Sequence, residues 1–438
     1  MKKSLYNLCT VNDNRILIYN SMNRKMVNIP RNKNTQFLID SAGEIPSIES
    51  NPSLQYLYDN GFLVDSELDE KMLGDMYYYD NIYENDLNIT VLVSEDCNFR
   101  CKYCYESFKN GDITTGICES FLKFLQKNLH KYKSLTISWF GGEPLLNIKA
   151  IEMISKKAIE LCRSLGVLYS ASISTNGYLL TPEMTNRLIA CKVLNIQVTL
   201  DGTEKAHDEL RVLRNGDPTF DIILNNLKNI RDNVKRRSVK FRIRSNLSKI
   251  QMDEISDYLV LMNKEFSADS RFQFYFRPVG DWGGQRVKSV KDKIFSTLNE
   301  LYEPILKCDV ILNSDFYLSL LPLNICNAAK RHSFVLGSNG TIYKCTMLLD
   351  DDCNKIGYLR ENGILELDLG KLSKWVIGSS YSSSESKCNK CNLWNLCHSH
   401  QCPATSVLHK SPSCGYEVCS IDFVLKLVDR SQNDRIEF

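Results

Sequence analysis

The residues best suited to chemistry are the three cysteines of Cys97-Asn-Phe-Arg-Cys101-Lys-Tyr-Cys104-Tyr105, spaced C-x3-C-x2-C directly after an apolar run at 87–94 that reads as a strand. Three thiolates on one tight loop can ligate three irons of a cubane cluster and leave the fourth iron open to a small molecule. A zinc knuckle with a fourth ligand elsewhere is the other reading. A second set lies in the tail. Cys326 and Cys345 come first, with Gly340 between them, then Cys388-x2-Cys391-x5-Cys397-x4-Cys402, then Cys414 and Cys419. Most of the 17 cysteines fall in these two places. In a reducing compartment clustered cysteines are better read as metal ligands than as a disulfide framework. Cys9, Cys118, Cys162 and Cys191 lie singly in apparent strands or helices and read as small buried apolar residues. Cys353 has no evident role.

Polar and glycine-rich motifs follow several predicted strands. After 134–140 comes Gly141-Gly142-Glu143-Pro144, and after 168–174 comes Thr175-Asn176-Gly177. After 194–200 comes Asp201-Gly202, with His207, Asp208 and Arg211 just beyond. Paired glycines let a backbone approach a ligand closely, and a guanidinium can clamp a carboxylate. Taken singly, Gly-Gly and Asn-Gly are usually turn signals, and Arg211 could simply pair with Asp208 on the surface. In a sheet of parallel strands these motifs gather at one end, where ligands bind.

The elements that must position them alternate. Strand patterns at 87–94, 134–140, 168–174, 194–200, 238–246 and 271–279 are separated by amphipathic helices such as Cys118–Leu129, Ile148–Leu165, Pro182–Cys191 and Phe220–Val234. Six βα units predict an α/β fold, a partial (βα)6 barrel over 87–280, with a doubly wound sheet as the alternative. Strand parity sets Val239, Phe241 and Ile243 against Lys240, Arg242, Arg244 and Asn246. It likewise sets Phe272, Phe274 and Phe276 against Arg271, Gln273, Tyr275 and Arg277. The second face of each strand predicts a polar lumen, with Arg244 and Arg277 turned away from solvent.

Residues 1–65 read as a separate winged-helix-like domain: apolar stretches Leu5–Val11, Arg15–Tyr19 and Met26–Ile29, helices Thr35–Asp40 and Ser53–Asn60, and a returning Phe62-Leu63-Val64. The helix Ser53–Asn60 carries no Arg or Lys, which argues against a major-groove reader and for peptide recognition by strand addition. Residues 66–86, with seven acidic side chains and four tyrosines, read as a linker or loosely packed helix. Residues 281–325 form a bridging region with one helix, Val290–Tyr302. Residues 326–438 read as an irregular, metal-held tail. A net charge of +2, 43% hydrophobic residues and 24% charged residues give no whole-chain argument for nucleic-acid or membrane binding. No apolar run approaches the ~18 residues that span a bilayer, and a cytoplasmic location is expected.

The cysteine loop, followed by these strand-end motifs, resembles that of radical S-adenosylmethionine (SAM) enzymes. That resemblance implies a SAM-binding [4Fe–4S] cluster on Cys97, Cys101 and Cys104. It implies SAM contacts from Tyr103 (adenine), Gly141, Gly142 and Glu143 (amine), Ser174 and Arg211 (carboxylate) and Asn176 (near the ribose). The tail resembles the SPASM domain, which implies two auxiliary [4Fe–4S] clusters. Cys326, Cys345 and Cys402 would hold one, completed by Cys308 or left open. Cys388, Cys391, Cys397 and Cys419, in preference to Cys414, would hold the other. Four residues separate Cys397 from Cys402 where the family usually has three. The N-terminal residues resemble the leader-recognition element of peptide-modifying enzymes. The whole is most similar to streptide-type enzymes that join a lysine carbon to a tryptophan carbon. The implied partners are a leader-bearing precursor peptide and an electron donor such as flavodoxin or ferredoxin. Thioether-forming maturases, anaerobic sulfatase-maturing enzymes and a zinc-bearing winged-helix regulator are the alternatives. Asp281, Tyr275 and Arg277, at the last strand end, are the candidates for a catalytic role.

Overall fold

Local sequence accounts for most of the elements. In the computed structural model, residues 1–438 are described except 13, 34, 41–50, 283, 309–323, 379–387, 401, 410–421, 423, 427 and 429–438. The chain forms two compact units. One comprises Met1–Tyr83, Ser314–Lys330 and Ile377–Phe438, the other Glu84–Asn313 and Arg331–Val376.

In the first unit β1 (Lys2–Lys3) pairs with β5 (Leu63–Val64), and β2 (Asn7–Val11), β3 (Arg15–Asn20) and β4 (Met26–Pro30) form an antiparallel meander. Between β4 and β5 runs α1 (Pro52–Asp59), started by the Asn51 side chain and a proline in its first turn. Ile16, Ile18, Phe37, Leu38, Leu54, Leu57, Phe62 and Leu63 make its core. The expected helix at 35–40 is only a 3-10 turn, Gln36–Leu38. Residues 66–86 contain a 13-residue helix, α2 (Glu70–Ile82), capped by Asp69. Its buried edge is Glu70, Gly74, Tyr78 and Ile82, one residue every fourth position. The acidic composition concealed this edge, because Glu70 is buried by hydrogen bonds. Its carboxylate accepts from Ser4 Oγ at 2.6 Å and Leu5 N at 2.9 Å.

In the second unit six strands lie side by side in chain order, all parallel: β6 (Asp86–Ser94), β7 (Ser134–Gly141), β8 (Leu168–Thr175), β9 (Val193–Thr199), β10 (Lys240–Leu247) and β11 (Phe272–Pro278). The crossover helices are α3 (Thr115–Asn128), α4 (Ile148–Leu165), α5 (Pro182–Ala190), α6 (Glu204–Leu210), α7 (Phe220–Asn233) and α8 (Ile255–Phe266). Their starts are chemically marked: Thr114, Asn147, Thr181 and Thr203 each accept a backbone N–H of the first turn. Gly166, at φ +68°, ends α4 in the left-handed conformation that glycine adopts without a Cβ penalty. Leu135, Ile137, Ile173, Ile196, Val198, Phe241 and Ile243 are buried on one face of the sheet.

Three expectations are corrected here. The tail is not simply irregular. β12 (Ser333–Leu336) adds to the outer edge of β6 as a seventh parallel strand. From it β13 (Thr341–Tyr343), β14 (Lys355–Leu359) and β15 (Leu365–Leu367) continue the sheet antiparallel. Strands of three to five residues show too little alternation to be seen in sequence. Gly340, at φ +88°, supplies the β12–β13 turn. Second, the bridging helix expected at 290–302 is a 3-10 stretch, Arg286–Lys293, followed by α9 (Leu298–Leu306), whose cap is Thr297. Third, Arg271 does not join the polar face. It is buried just before β11, donating to Arg231 O at 2.8 Å and pairing with Asp269 at 2.6 Å, so it satisfies carbonyls at the end of α7.

Candidate active site

The loop after β6 is stitched to the segment after α6. Arg100 N donates to Val212 O, Lys102 N to Leu210 O, and Arg214 N to Asn98 O at 2.8 Å. Asp96 Oδ1 accepts the Cys97 N–H at 2.8 Å, and Arg214 pairs with Asp96 Oδ2 at 2.6 Å. Cys97 and Cys101 are buried and Cys104 is half-buried. Cys97 Sγ accepts the Phe99 N–H at 3.3 Å. Burial, followed by the neighbouring carboxylate and thiols, pushes the Cys97 thiol up. Burial and Cys101 push Cys104 up to about 12. Thiolates in such a place need compensating positive charge, which iron supplies. The donor set of three sulfurs on one loop, two buried and one half-buried, therefore fits a cluster. Among the described residues no three His, Cys, Asp or Glu side chains stand in closed metal-coordination geometry.

The end of β7 packs directly on this loop. Gly142 N donates to Ser94 O and Glu143 N to Asp96 O, both at 2.9 Å. A Cβ on Gly141 would lie 2.1 Å from Ser94 O, and one on Gly142 2.3 Å from Asp96 O. The paired glycines thus let the two loops approach. Glu143 is wholly buried and accepts from Leu145 N (2.9 Å), Thr175 Oγ1 (2.7 Å) and Asn176 N (2.7 Å), which ties the end of β7 to the end of β8. Burial raises its carboxyl pKa against these donors. Asn176 Nδ2 donates to Asn98 Oδ1 at 2.8 Å and lies 3.9 Å from Cys97 Sγ.

A buried charge network occupies the next two strand ends. Asp201, wholly buried, accepts the Asn246 N–H at 2.6 Å and the Tyr103 hydroxyl. Arg211, 5% exposed, donates to Tyr103 Oη at 2.7 Å and lies 3.8 Å from Asp201. The expected alternative partner, Asp208, instead accepts Thr219 N (2.8 Å) and Phe220 N (3.0 Å) at the start of α7. Arg211 Nε is buried without a hydrogen-bond partner among the described residues, a donor that suits an anionic ligand. His207, also buried, accepts the Asp201 N–H at 3.0 Å, and its other nitrogen lies 3.1 Å from Thr219 Oγ1. Sequence reasoning missed the roles of Asn98, Asp201 and Asn246. The only signal was Asp201-Gly202 at a strand end.

The polar face is a hydrogen-bonded ladder. Thr136 meets Ser170 at 2.8 Å, Ser138 meets Ser172 at 3.1 Å, and Ser174 accepts from Gln197 at 3.2 Å. A cavity of about 320 Å³ opens there, lined by Ser172, Ser174, Gln197, Arg242 and Gln273 among others. Arg244 and Arg277 are half-buried. Arg244 donates to Asn246 at 2.8 Å, and Arg277 stacks 4.7 Å from the Tyr275 ring. Asp281 is exposed and ion-paired with Lys291 at 3.0 Å.

Cys308 follows α9, its thiol 3.3 Å from Pro304 O. Cys345 and Cys353 lie in the second unit, on the sheet extension. Cys326, Cys388, Cys391, Cys397 and Cys402 lie in the first. Cys388 and Cys391 share one turn (Cys391 N to Cys388 O, 3.2 Å), and Cys397 ends the short helix α10 (Trp394–Cys397). The extra residue before Cys402 is accommodated by two left-handed residues, His398 (φ +46°) and Ser399 (φ +61°). Cys414 and Cys419 lie outside the described residues. Cys118, Cys162 and Cys191 are buried as expected of small apolar side chains, and Cys9 is half-buried.

Residues 91–243 match the Radical SAM superfamily. The cysteine-type anaerobic sulfatase-maturating enzyme of Clostridium novyi (strain NT) is 28% identical over 328 residues, 70% of this chain and 85% of that enzyme. Two solved structures share the fold. One is anSMEcpe with bound AdoMet and the Cp18Cys peptide (TM-score 0.54, 17% identity, 80% of this chain and 100% of that one). The other is Streptococcus suis SuiB bound to S-adenosylmethionine (TM-score 0.50, 15% identity, 94% and 98%). The second unit therefore carries a radical SAM domain of mixed α/β type. Residues 91–243 are therefore a radical SAM domain, in a chain similar to peptide and sulfatase maturases, and radical SAM enzymes use SAM and a [4Fe–4S] cluster.

Proposed function

We propose that the protein modifies a ribosomally made precursor peptide, forming a carbon–carbon crosslink between a lysine and a tryptophan. The observation that carries the peptide reading is β4, which among the described residues pairs only with β3 and so forms a sheet edge, in a small unit that includes an adjacent helix. Such an edge can take an extended leader by strand addition.

Cys97, Cys101 and Cys104 would hold the SAM-binding cluster. Arg211, through its unpartnered Nε, would bind the SAM carboxylate. Asp201 would orient Tyr103 and Arg211 together, and Glu143 would fix the β7 and β8 ends around them. Two auxiliary clusters would be held in the tail, one of them by Cys388, Cys391, Cys397 and Cys419. When bound, these groups would supply one-electron reduction, hydrogen-atom abstraction from the substrate and an acceptor for the electron that bond formation releases. The polar face would hold the substrate segment away from bulk water. Tyr275, Arg277 and Asp281 are the candidates for receiving the departing proton. A flavodoxin- or ferredoxin-type donor in the cytoplasm would supply the electron.

A sulfatase-maturing activity is the second reading, favoured by the likeness to the Clostridium novyi enzyme. The test is protein purified without oxygen and reconstituted. About twelve irons per chain, deoxyadenosine release, and a leader-dependent peptide product lighter by two hydrogens support the proposal. Leader-independent conversion of a sulfatase peptide selects the second reading. Zinc in place of iron, with no SAM cleavage, overturns both.

A further inference from the structure

In the first unit, α2 packs its buried edge against the cysteine-bearing turn at 394–398. Trp394 Nε1 donates to Asp75 Oδ1 at 2.5 Å, and His398 Nε2 lies 3.0 Å from the same oxygen. The Tyr78 ring stacks on the His398 ring, centroids 4.7 Å apart and planes 15° apart. His398 directly follows Cys397 and is held left-handed, which keeps its ring over α2. Tyr78 is 2% exposed, and its hydroxyl has no hydrogen-bond partner among the described residues. Buried hydroxyls are nearly always paired, so this one needs an acceptor. The thiols of Cys397 and Cys326 lie close enough to act on it electrostatically. The hydroxyl is therefore a donor in a dry place beside two cysteine sulfurs, and sulfur anions are its natural acceptors.

We infer that Tyr78 donates a hydrogen bond to the sulfur of the iron–sulfur cluster held by Cys397 and thereby sets that cluster's reduction potential. The inference rests on the reading of the tail as a cluster-binding segment. Tyr78 is a positioning and tuning residue, not a ligand, since Asp75, His398 and Trp394 hold the turn without it. A hydrogen bond to a cluster sulfur withdraws electron density and favours the reduced state. Removing it should shift the one-electron equilibrium about tenfold toward the oxidised form, a fall of ~59 mV.

The experiment is EPR-monitored redox titration of the full-length reconstituted protein, wild type against Tyr78→Phe, with iron counted in both. A second sample carries 3-fluorotyrosine at position 78, which keeps the ring and strengthens the donor. The expected result is one auxiliary midpoint lowered in Tyr78→Phe and raised with fluorotyrosine, the SAM-binding cluster being unmoved. Unchanged auxiliary midpoints in both samples overturn the inference while leaving the clusters themselves in place. If Tyr78→Phe fails to retain iron, the fluorotyrosine sample decides alone, and no upward shift there overturns it. Wild-type protein with only about four irons overturns the inference together with the tail reading, and the iron count tells that failure from the first.

Discussion

At the residue scale, Gly142 shows why a glycine pair follows β7. Its missing Cβ is where the Asp96 carbonyl sits, so Gly142→Ala must push the cysteine loop outward. The expected cost is ~1–3 kcal/mol of stability, with reduced iron incorporation on reconstitution, read by denaturant unfolding and iron assay. His207 offers a pH prediction. Burial, and secondarily Arg211, hold its imidazole well below its ordinary pKa, so it stays neutral in the folded chain. The unfolded chain binds a proton as pH falls below about 6.5 and the folded chain does not. Wild-type stability should therefore fall on acidification by up to about 1.4 kcal/mol per pH unit from this group. His207→Gln should lack that component, whatever the other groups contribute. Parallel urea titrations at neutral pH and at mildly acid pH measure the difference, and identical slopes would count against it.

At the scale of elements, α2 reverses an ordinary rule. Alanine in a helix interior is normally favoured over glycine by ~1 kcal/mol. At Gly74 a Cβ would fall 1.8 Å from the Tyr6 hydroxyl, which itself donates to Glu70 O at 2.8 Å. Gly74→Ala should destabilise the protein and loosen Tyr6. A Tm equal to or above wild type would contradict the packing. The same edge explains why the acidic, tyrosine-rich stretch 66–86 could be read as a linker. Hydrophobic periodicity registers apolar faces, whereas this edge is made of a hydrogen-bonded glutamate, a glycine and a tyrosine. The six βα units, by contrast, were legible because most of the strands alternate and four of the crossover helices start at a capping side chain.

At the scale of the whole molecule, the second unit is joined across distant sequence by a buried carboxylate. Glu95 Oε1 accepts from Ser338 N and Ser338 Oγ, both at 2.9 Å, and Oε2 accepts from Asn110 Nδ2 at 2.7 Å. It ties the cysteine loop to the β12–β13 turn. Glu95→Ala leaves those donors buried and unpaired, at ~1–3 kcal/mol. Hydrogen exchange should show β12 and β13 opening more readily, with β9 and β10 unchanged; uniform loss of protection would mean that no such local tie exists. The cysteine spacing, the βα alternation and the polar parity of β10 were determined by the sequence alone, because each depends on residues that are neighbours along the chain. The tertiary structure alone decided that β12 joins β6, that Arg211 pairs with Asp201 rather than Asp208, that Arg271 turns under α7, and that Tyr78 stacks on His398. Each of these is a choice of partner between groups far apart in sequence. Short strands and buried polar side chains carry no period of their own, so only the fold that brings the partners together makes the choice.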